Sequence, residues 1–164
     1  MKEVAARGAY GKADERFRAP GMTRSDLVLA ALATAEPGAG WSPVQVQKLF
    51  FLLERQASSA LGGKRWSFTA YDYGPFDSAV YSEIETMAGD GLTIVNRPAG
   101  SMRTFRLTEA GHARGVEQLN ALHPDVKTYV VSLAQWLRGL SFQQLVSAVY
   151  QAYPEMRENS IFRG

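Results

Sequence analysis

The sequence predicts a mainly helical α+β domain in which helices surround a two-stranded hairpin. Three observations carry this. Apolar residues recur at helical spacing in six segments, each bounded by a capping or breaking residue. One strand–turn–strand pattern lies between residues 92 and 107. At 164 residues and 46% hydrophobic side chains, the chain has apolar surface for a real core and fits one domain.

Residues 1–22 stand apart. Lys2, Arg7, Lys12, Arg16 and Arg18 face Glu3, Asp14 and Glu15, and Gly8, Gly11, Pro20 and Gly21 interrupt any helical period. This stretch reads as a basic, flexible N-terminal arm with room for a short helix over 12–18. Residues 23–164 read as the domain proper.

The first helix spans about 24–35, with Thr23 or Ser25 as cap and Asp26 in its positive first turn. Pro37-Gly38-Ala39-Gly40 ends it. Ser42, followed by Pro43, opens the second helix. Val46, Leu49, Phe50, Leu53 and Ala57 follow one face, and Phe51 and Leu52 extend apolar surface around the cylinder. A helix apolar almost all round is a buried one, so this element is expected at the centre of the core. Gln45, Lys48 and Arg55 are assigned to its polar face. Trp66–Tyr73 reads as a short strand or extended segment that Gly74-Pro75 breaks. Asp77 or Ser78 caps a third helix over about 78–89. Its inner face is Val80, Ile84, Met87 and Ala88, and its outer face carries Ser82, Glu83 and Glu85.

Leu92–Arg97 and Met102–Leu107 form the predicted hairpin, turning at Pro98-Ala99-Gly100-Ser101. Thr108-Glu109 opens a fourth helix that reaches about Leu122. Pro124 opens a fifth that Gly139 stops, and Ser141 caps a sixth that Pro154 ends. A helix feeding a two-stranded hairpin is the local logic of a winged helix-turn-helix. The expected architecture is therefore a winged helix-turn-helix-like core with a two-stranded wing and a C-terminal helical extension. A lone hairpin is marginal in water and needs helices to cover one face.

Composition removes several function classes. With no cysteine, disulfide frameworks, thiol catalysis and Cys-based metal sites are excluded. The net charge of +2 is a weak argument for nucleic acid. The longest strongly apolar run, Leu49–Leu53, is far too short for a membrane span. The N-terminus shows no apolar signal region, so the expectation is a cytoplasmic protein without a membrane partner. His112 and His123 sit early in the fourth helix and in the loop after it, about 15 Å apart on helical geometry, too far to share an ion. Nucleophile-elbow and phosphate-loop motifs are absent. No metal, no cofactor and no catalytic residue is predicted.

Two binding surfaces remain. For DNA, the third helix is the wrong kind of reader. Its outer face carries Glu83 and Glu85, and no basic residue falls between Phe76 and Val95, whereas phosphates demand cations. The wing offers Arg97, Arg103 and Arg106, which can grip phosphate. For protein, Trp66, Phe68, Tyr71, Tyr73, Phe76 and Tyr81 fall within sixteen residues, a density that suits a core lid or an interface. The bend at Gly74-Pro75 is expected to present Tyr71, Tyr73 and Tyr81 beside Lys48. Trp136, off the apolar stripe of the fifth helix, is a further candidate.

Gly91-Leu92-Thr93-Ile94-Val95 and Phe105-Arg106-Leu107-Thr108-Glu109-Ala110-Gly111 resemble the wing of winged helix-turn-helix proteins. Val46-Gln47-Lys48-Leu49-Phe50-Phe51-Leu52 is similar to the signature helix of the Panacea family of SocA-like antitoxins. Tyr71-Asp72-Tyr73-Gly74-Pro75-Phe76, followed by Val80-Tyr81, is similar to that family's aromatic Gly-Pro segment. Leu140-Ser141, Val149-Tyr150 and Tyr153-Pro154-Glu155 resemble the tail of the neighbouring YwgA-like group. The resemblance spans roughly residues 23–162. It implies a non-enzymatic protein that neutralises a partner, a toxin or phage-defence component, by direct contact. A winged-helix DNA-binding transcriptional regulator is the alternative, with weak or no nucleic-acid binding expected. A homo-oligomer is left open.

Overall fold

The computed structural model describes residues 22–163. Among them, six α-helices and two antiparallel pairs of strands follow one another. The basic arm predicted at the N-terminus, with its short helix, lies outside the described residues apart from Met22. Met22, expected to end that arm, is instead buried in the core, and its carbonyl accepts from Arg65.

Helix α1 (Arg24–Leu32) starts at a reciprocal capping box between Thr23 and Asp26. It ends three residues before the expected Ala35. The N–H and hydroxyl of Thr34 both donate to the Ala31 carbonyl, which tightens the last turn and closes the helix.

Helix α2 (Pro43–Ala57) starts at a second capping box, Ser42 with Gln45, and has Pro43 at its first position. Every residue from Val46 to Leu53 is buried. Leu49, Phe50 and Leu53 are completely enclosed, as a helix apolar on all sides requires. The same enclosure takes in Gln47 and Lys48, which corrects the assignment of Lys48 to a polar face. Over two turns this helix has no solvent face, so its polar residues go inside with the rest. Gln45 is half-buried, and only Arg55, further along, reaches solvent.

The short strand or extended segment expected over 66–73 contributes only Thr69–Tyr71, as one arm of a short hairpin. Strand β1 (Thr69–Tyr71) pairs antiparallel with β2 (Gly74–Phe76), in the register Thr69–Phe76, Ala70–Pro75 and Tyr71–Gly74. The Gly-Pro pair, expected to break the strand, supplies the returning one. Gly74 adopts φ +102°, a conformation that other residues rarely take. Pro75 has no N–H, so its pair with Ala70 is the non-hydrogen-bonded one and no ladder bond is lost.

Helix α3 (Ser78–Gly89) is capped by Asp77 and buries Val80, Ile84 and Met87. Ala88, expected on that inner face, is exposed. Strands β3 (Thr93–Asn96) and β4 (Thr104–Leu107) form the second hairpin, pairing Thr93 with Leu107 through Asn96 with Thr104. Trp41 adds a short third rung. Its N–H and carbonyl exchange hydrogen bonds of 2.7 and 2.9 Å with Phe105.

Helices α4 (Glu109–Asn120), α5 (Pro124–Arg138) and α6 (Phe142–Ala152) complete the domain. Helix α4 lies on α1 through Gly115, where a β-carbon would stand 2.3 Å from the Leu29 carbonyl oxygen. Beyond α6, residues 159–162 strap the first hairpin. The Asn159 amide donates to the Ala70 carbonyl at 3.2 Å, and the Ile161 N–H donates to the Asp72 carbonyl at 2.9 Å. No helix among the described residues is long and apolar enough to cross a membrane.

Candidate functional site

A cleft of about 250 Å³ opens beside the first two turns of α2, with the first hairpin, α3 and the start of α6 around it. Lys48, Tyr71, Tyr73, Tyr81, Met102 and Phe142 line it. Four of the five side chains singled out in the sequence as a partner site are thus brought together. The fifth, Trp136, is half-buried against the core and is not part of the cleft lining.

Local folding explains the convergence. The two-residue turn Asp72-Tyr73 places Tyr71 and Tyr73 at the tip of the β1–β2 hairpin. The side-chain amide of Gln47 then holds the end of that hairpin to α2. It donates to the Asp77 carbonyl and accepts from the Asp77 N–H, both at 3.0 Å. Asp77 in turn accepts from Ala79 N–H at 2.9 Å and Ser67 N–H at 2.7 Å. A buried amide satisfied in this way fixes the geometry of the wall rather than merely filling space.

The walls are aromatic. Tyr71 packs on Phe76 with ring centres 5.0 Å apart, Phe76 meets Tyr81 edge-on at 5.8 Å, and Tyr81 stacks on Phe105 at 5.6 Å. On the other side Tyr73 meets Phe142 edge-on at 5.0 Å. Tyr71, Tyr73, Met102 and Phe142 are four of the five most exposed large apolar side chains among the described residues. That they gather in one place, rather than scatter, distinguishes this patch from the ordinary apolar content of a protein surface.

Lys48 sits at the base, 3% exposed. Its ammonium donates to the Pro75 carbonyl at 3.4 Å, a long bond. Burial away from water lowers its pKa from 10.5 to about 7, because the charged form loses its hydration. Tyr81 is half-buried. Burial raises the pKa of its hydroxyl, opposed by the Gln47 hydrogen bond and by Arg103, whose guanidinium lies 4.3 Å over the ring.

The arginines of the second hairpin are not a free cationic grip. Arg97 and Arg103 converge on one carboxylate of α3, Glu85, with Arg103 3.8 Å away and Arg97 in direct contact. Arg106 is half-buried, and its Nε is enclosed without a hydrogen-bond partner. Glu83, the other outward acid of α3, accepts from the Ser25 hydroxyl at 2.6 Å. The histidines are held separately. His112 Nε2 lies 3.2 Å from the Ala35 carbonyl, and His123 Nδ1 accepts from Asp125 N–H as the cap of α5.

Sequence reasoning missed Phe142, Met102 and Gln47. Phe142 follows the cap Ser141 and heads the apolar stripe of α6, three and four residues before Leu145 and Val146, yet it is exposed. Its i, i+3, i+4 spacing reads as core, so nothing in the sequence marks this first residue as reaching the cleft. Gln47 gave no signal either, since its role depends on the hairpin end that folds back onto α2. Compared with family models, curated proteins and solved structures, the chain matches none.

Proposed function

We propose that this chain is a non-enzymatic protein-binding module whose docking site is the aromatic cleft above Lys48. The observation that carries the reading is the gathering of Tyr71, Tyr73, Met102 and Phe142, all exposed, around one cavity that is already formed. Rigid aromatic side chains bury large area at low conformational cost, and they are the usual anchors of interfaces. The resemblance of the α2 and Gly-Pro segments to SocA-like antitoxins supports the same reading. On it, the chain is a cytoplasmic antitoxin or adaptor that neutralises a toxin or defence protein by contact.

Helix α3 leading into β3–β4, with Trp41 as a third rung, supports a winged-helix interpretation of the core. The DNA-binding regulator is nevertheless the weaker reading, because Glu85 neutralises two of the three arginines that a wing would offer to phosphate. The test is co-purification from the native host with wild type and with the Tyr73→Ala/Phe142→Ala double variant. A partner retained by wild type and lost by a folded double variant is the expected result. A partner retained by both overturns the docking site.

A further inference from the structure

We propose that the cleft receives an Asp or Glu side chain on an extended segment of the partner, flanked by an aromatic or branched aliphatic residue, and that its carboxylate pairs with Lys48 Nζ. This rests on the docking reading above and specifies what docks.

Charge complementarity is the first argument. An ammonium has three donors, and Lys48 has one long contact to a carbonyl. The groups facing it from each packed element leave it without a counter-ion. From the hairpin come Asp72, Tyr71 and Tyr73, and Asp72 lines the cleft without forming an ion pair with Lys48. From the start of α3 come Asp77, whose two carboxylate oxygens are taken by Ala79 and Ser67, and Tyr81. From β4 and its approach comes Arg103, of like charge and already on Glu85. From α6 comes Tyr150, whose hydroxyl donates to Ser160 at 2.7 Å. Consistently, desolvation is the sole cause of the lowered pKa of Lys48, with no carboxylate offsetting it.

Shape is the second argument. Pockets for whole small ligands run about 300–1,000 Å³. A cavity of about 250 Å³ with aromatic walls and one cation at its base suits an anchor side chain and its acidic neighbour better. The walls take the apolar side chain and exclude water, and exclusion of water strengthens the ion pair beneath.

Proton linkage follows. A carboxylate stabilises the charged amine, so above pH 7 the complex forms with uptake of a proton. Affinity for the acidic segment then falls about a hundredfold between pH 6 and pH 9, as the protonated fraction of Lys48 in the free protein falls.

The experiment is selection of random phage-displayed heptapeptides against the immobilised full chain at pH 6.5, followed by calorimetry on a synthetic winner and its Glu→Gln (or Asp→Asn) twin. The expected winners carry an acid within two residues of an aromatic or branched aliphatic residue. The amide twin binds at least tenfold more weakly, its affinity does not change with pH, and Lys48→Met removes the difference between the twins. Should Lys48→Met not fold, the pH profiles of the two peptides on wild type decide alone. Winners without an acid, or twins of equal affinity, overturn the Lys48 pairing. The docking reading survives that outcome provided Tyr73→Ala abolishes binding. Winners that bind Tyr73→Ala as well as wild type, or no enrichment at all, overturn both.

Discussion

The ammonium of Lys48, on the most enclosed helix of the domain, reaches the carbonyl of Pro75 across 3.4 Å and finds no carboxylate there. A charge is thereby held between α2 and the β1–β2 hairpin with little to compensate its lost hydration. Such a group costs stability in its charged form.

The cost has a defined pH window. The pKa of Lys48 is lowered on folding, from 10.5 to about 7. Between those values the unfolded chain holds a proton that the folded chain has released, so the Lys48 contribution to stability rises with pH across that range and is constant below it. The full penalty, present below pH 7, is about 5 kcal/mol. Lys48→Met should therefore raise the unfolding free energy most at pH 6, with the gain shrinking towards zero near pH 10. Chemical denaturation of both proteins from pH 6 to 10 measures this. A gain that does not depend on pH would mean that the amine is hydrated.

The tyrosines of the cleft divide into two kinds. Tyr81 stacks on the fully buried Phe105 and lies beneath Arg103, so it belongs as much to the core as to the surface. Tyr73 is 40% exposed and touches Phe142 at its edge. Tyr81→Ala should cost about 2 kcal/mol by leaving a cavity over Phe105. Tyr73→Ala should stay within about 0.5 kcal/mol of wild type. Thermal unfolding of the two single variants separates them, and equal losses would contradict the division.

This contrast shows where sequence was readable. Cap residues are local signals: Ser42 and Ser141 marked two helix starts correctly, and Thr23, read beside Ser25, caps the first. The 92–107 hairpin was equally clear, because its turn residues and β-prone flanks are adjacent in the chain. Lys48 was misassigned because its charge reads as marking a solvent face, on a helix whose apolar surroundings already indicated enclosure. The second strand of the first hairpin was missed because Gly-Pro normally ends a strand. It is tolerated here at a non-hydrogen-bonded pair with Gly74 at positive φ, and a β-carbon there would lie 3.1 Å from the Tyr150 ring. Phe142 and Met102 join the cleft only through tertiary folding, which brings residues about seventy positions from the hairpin, or a separate turn, to its rim.

Glu85 makes the winged-helix alternative testable. Its carboxylate holds both Arg97 and Arg103, and exposed pairs of this kind contribute only about 0–1 kcal/mol to stability. Glu85→Gln should leave the melting temperature nearly unchanged while strengthening non-specific duplex binding about threefold at low salt. Fluorescence anisotropy with a mixed-sequence duplex across a salt series reads both. Wild-type binding is expected to be weak, indifferent to sequence and lost at physiological salt. A sequence-specific wild-type complex that persists there would promote the DNA-binding alternative.

The cleft as a docking site is tested most directly by where a partner touches the chain. A photo-crosslinking amino acid placed at Tyr73 or, in a second variant, at Trp136 reports contact at each surface in the native host. The account predicts a discrete cross-linked protein from position 73, none from position 136, and loss of the product when Phe142→Ala is added. A partner cross-linked at position 136 and not at position 73 would contradict it.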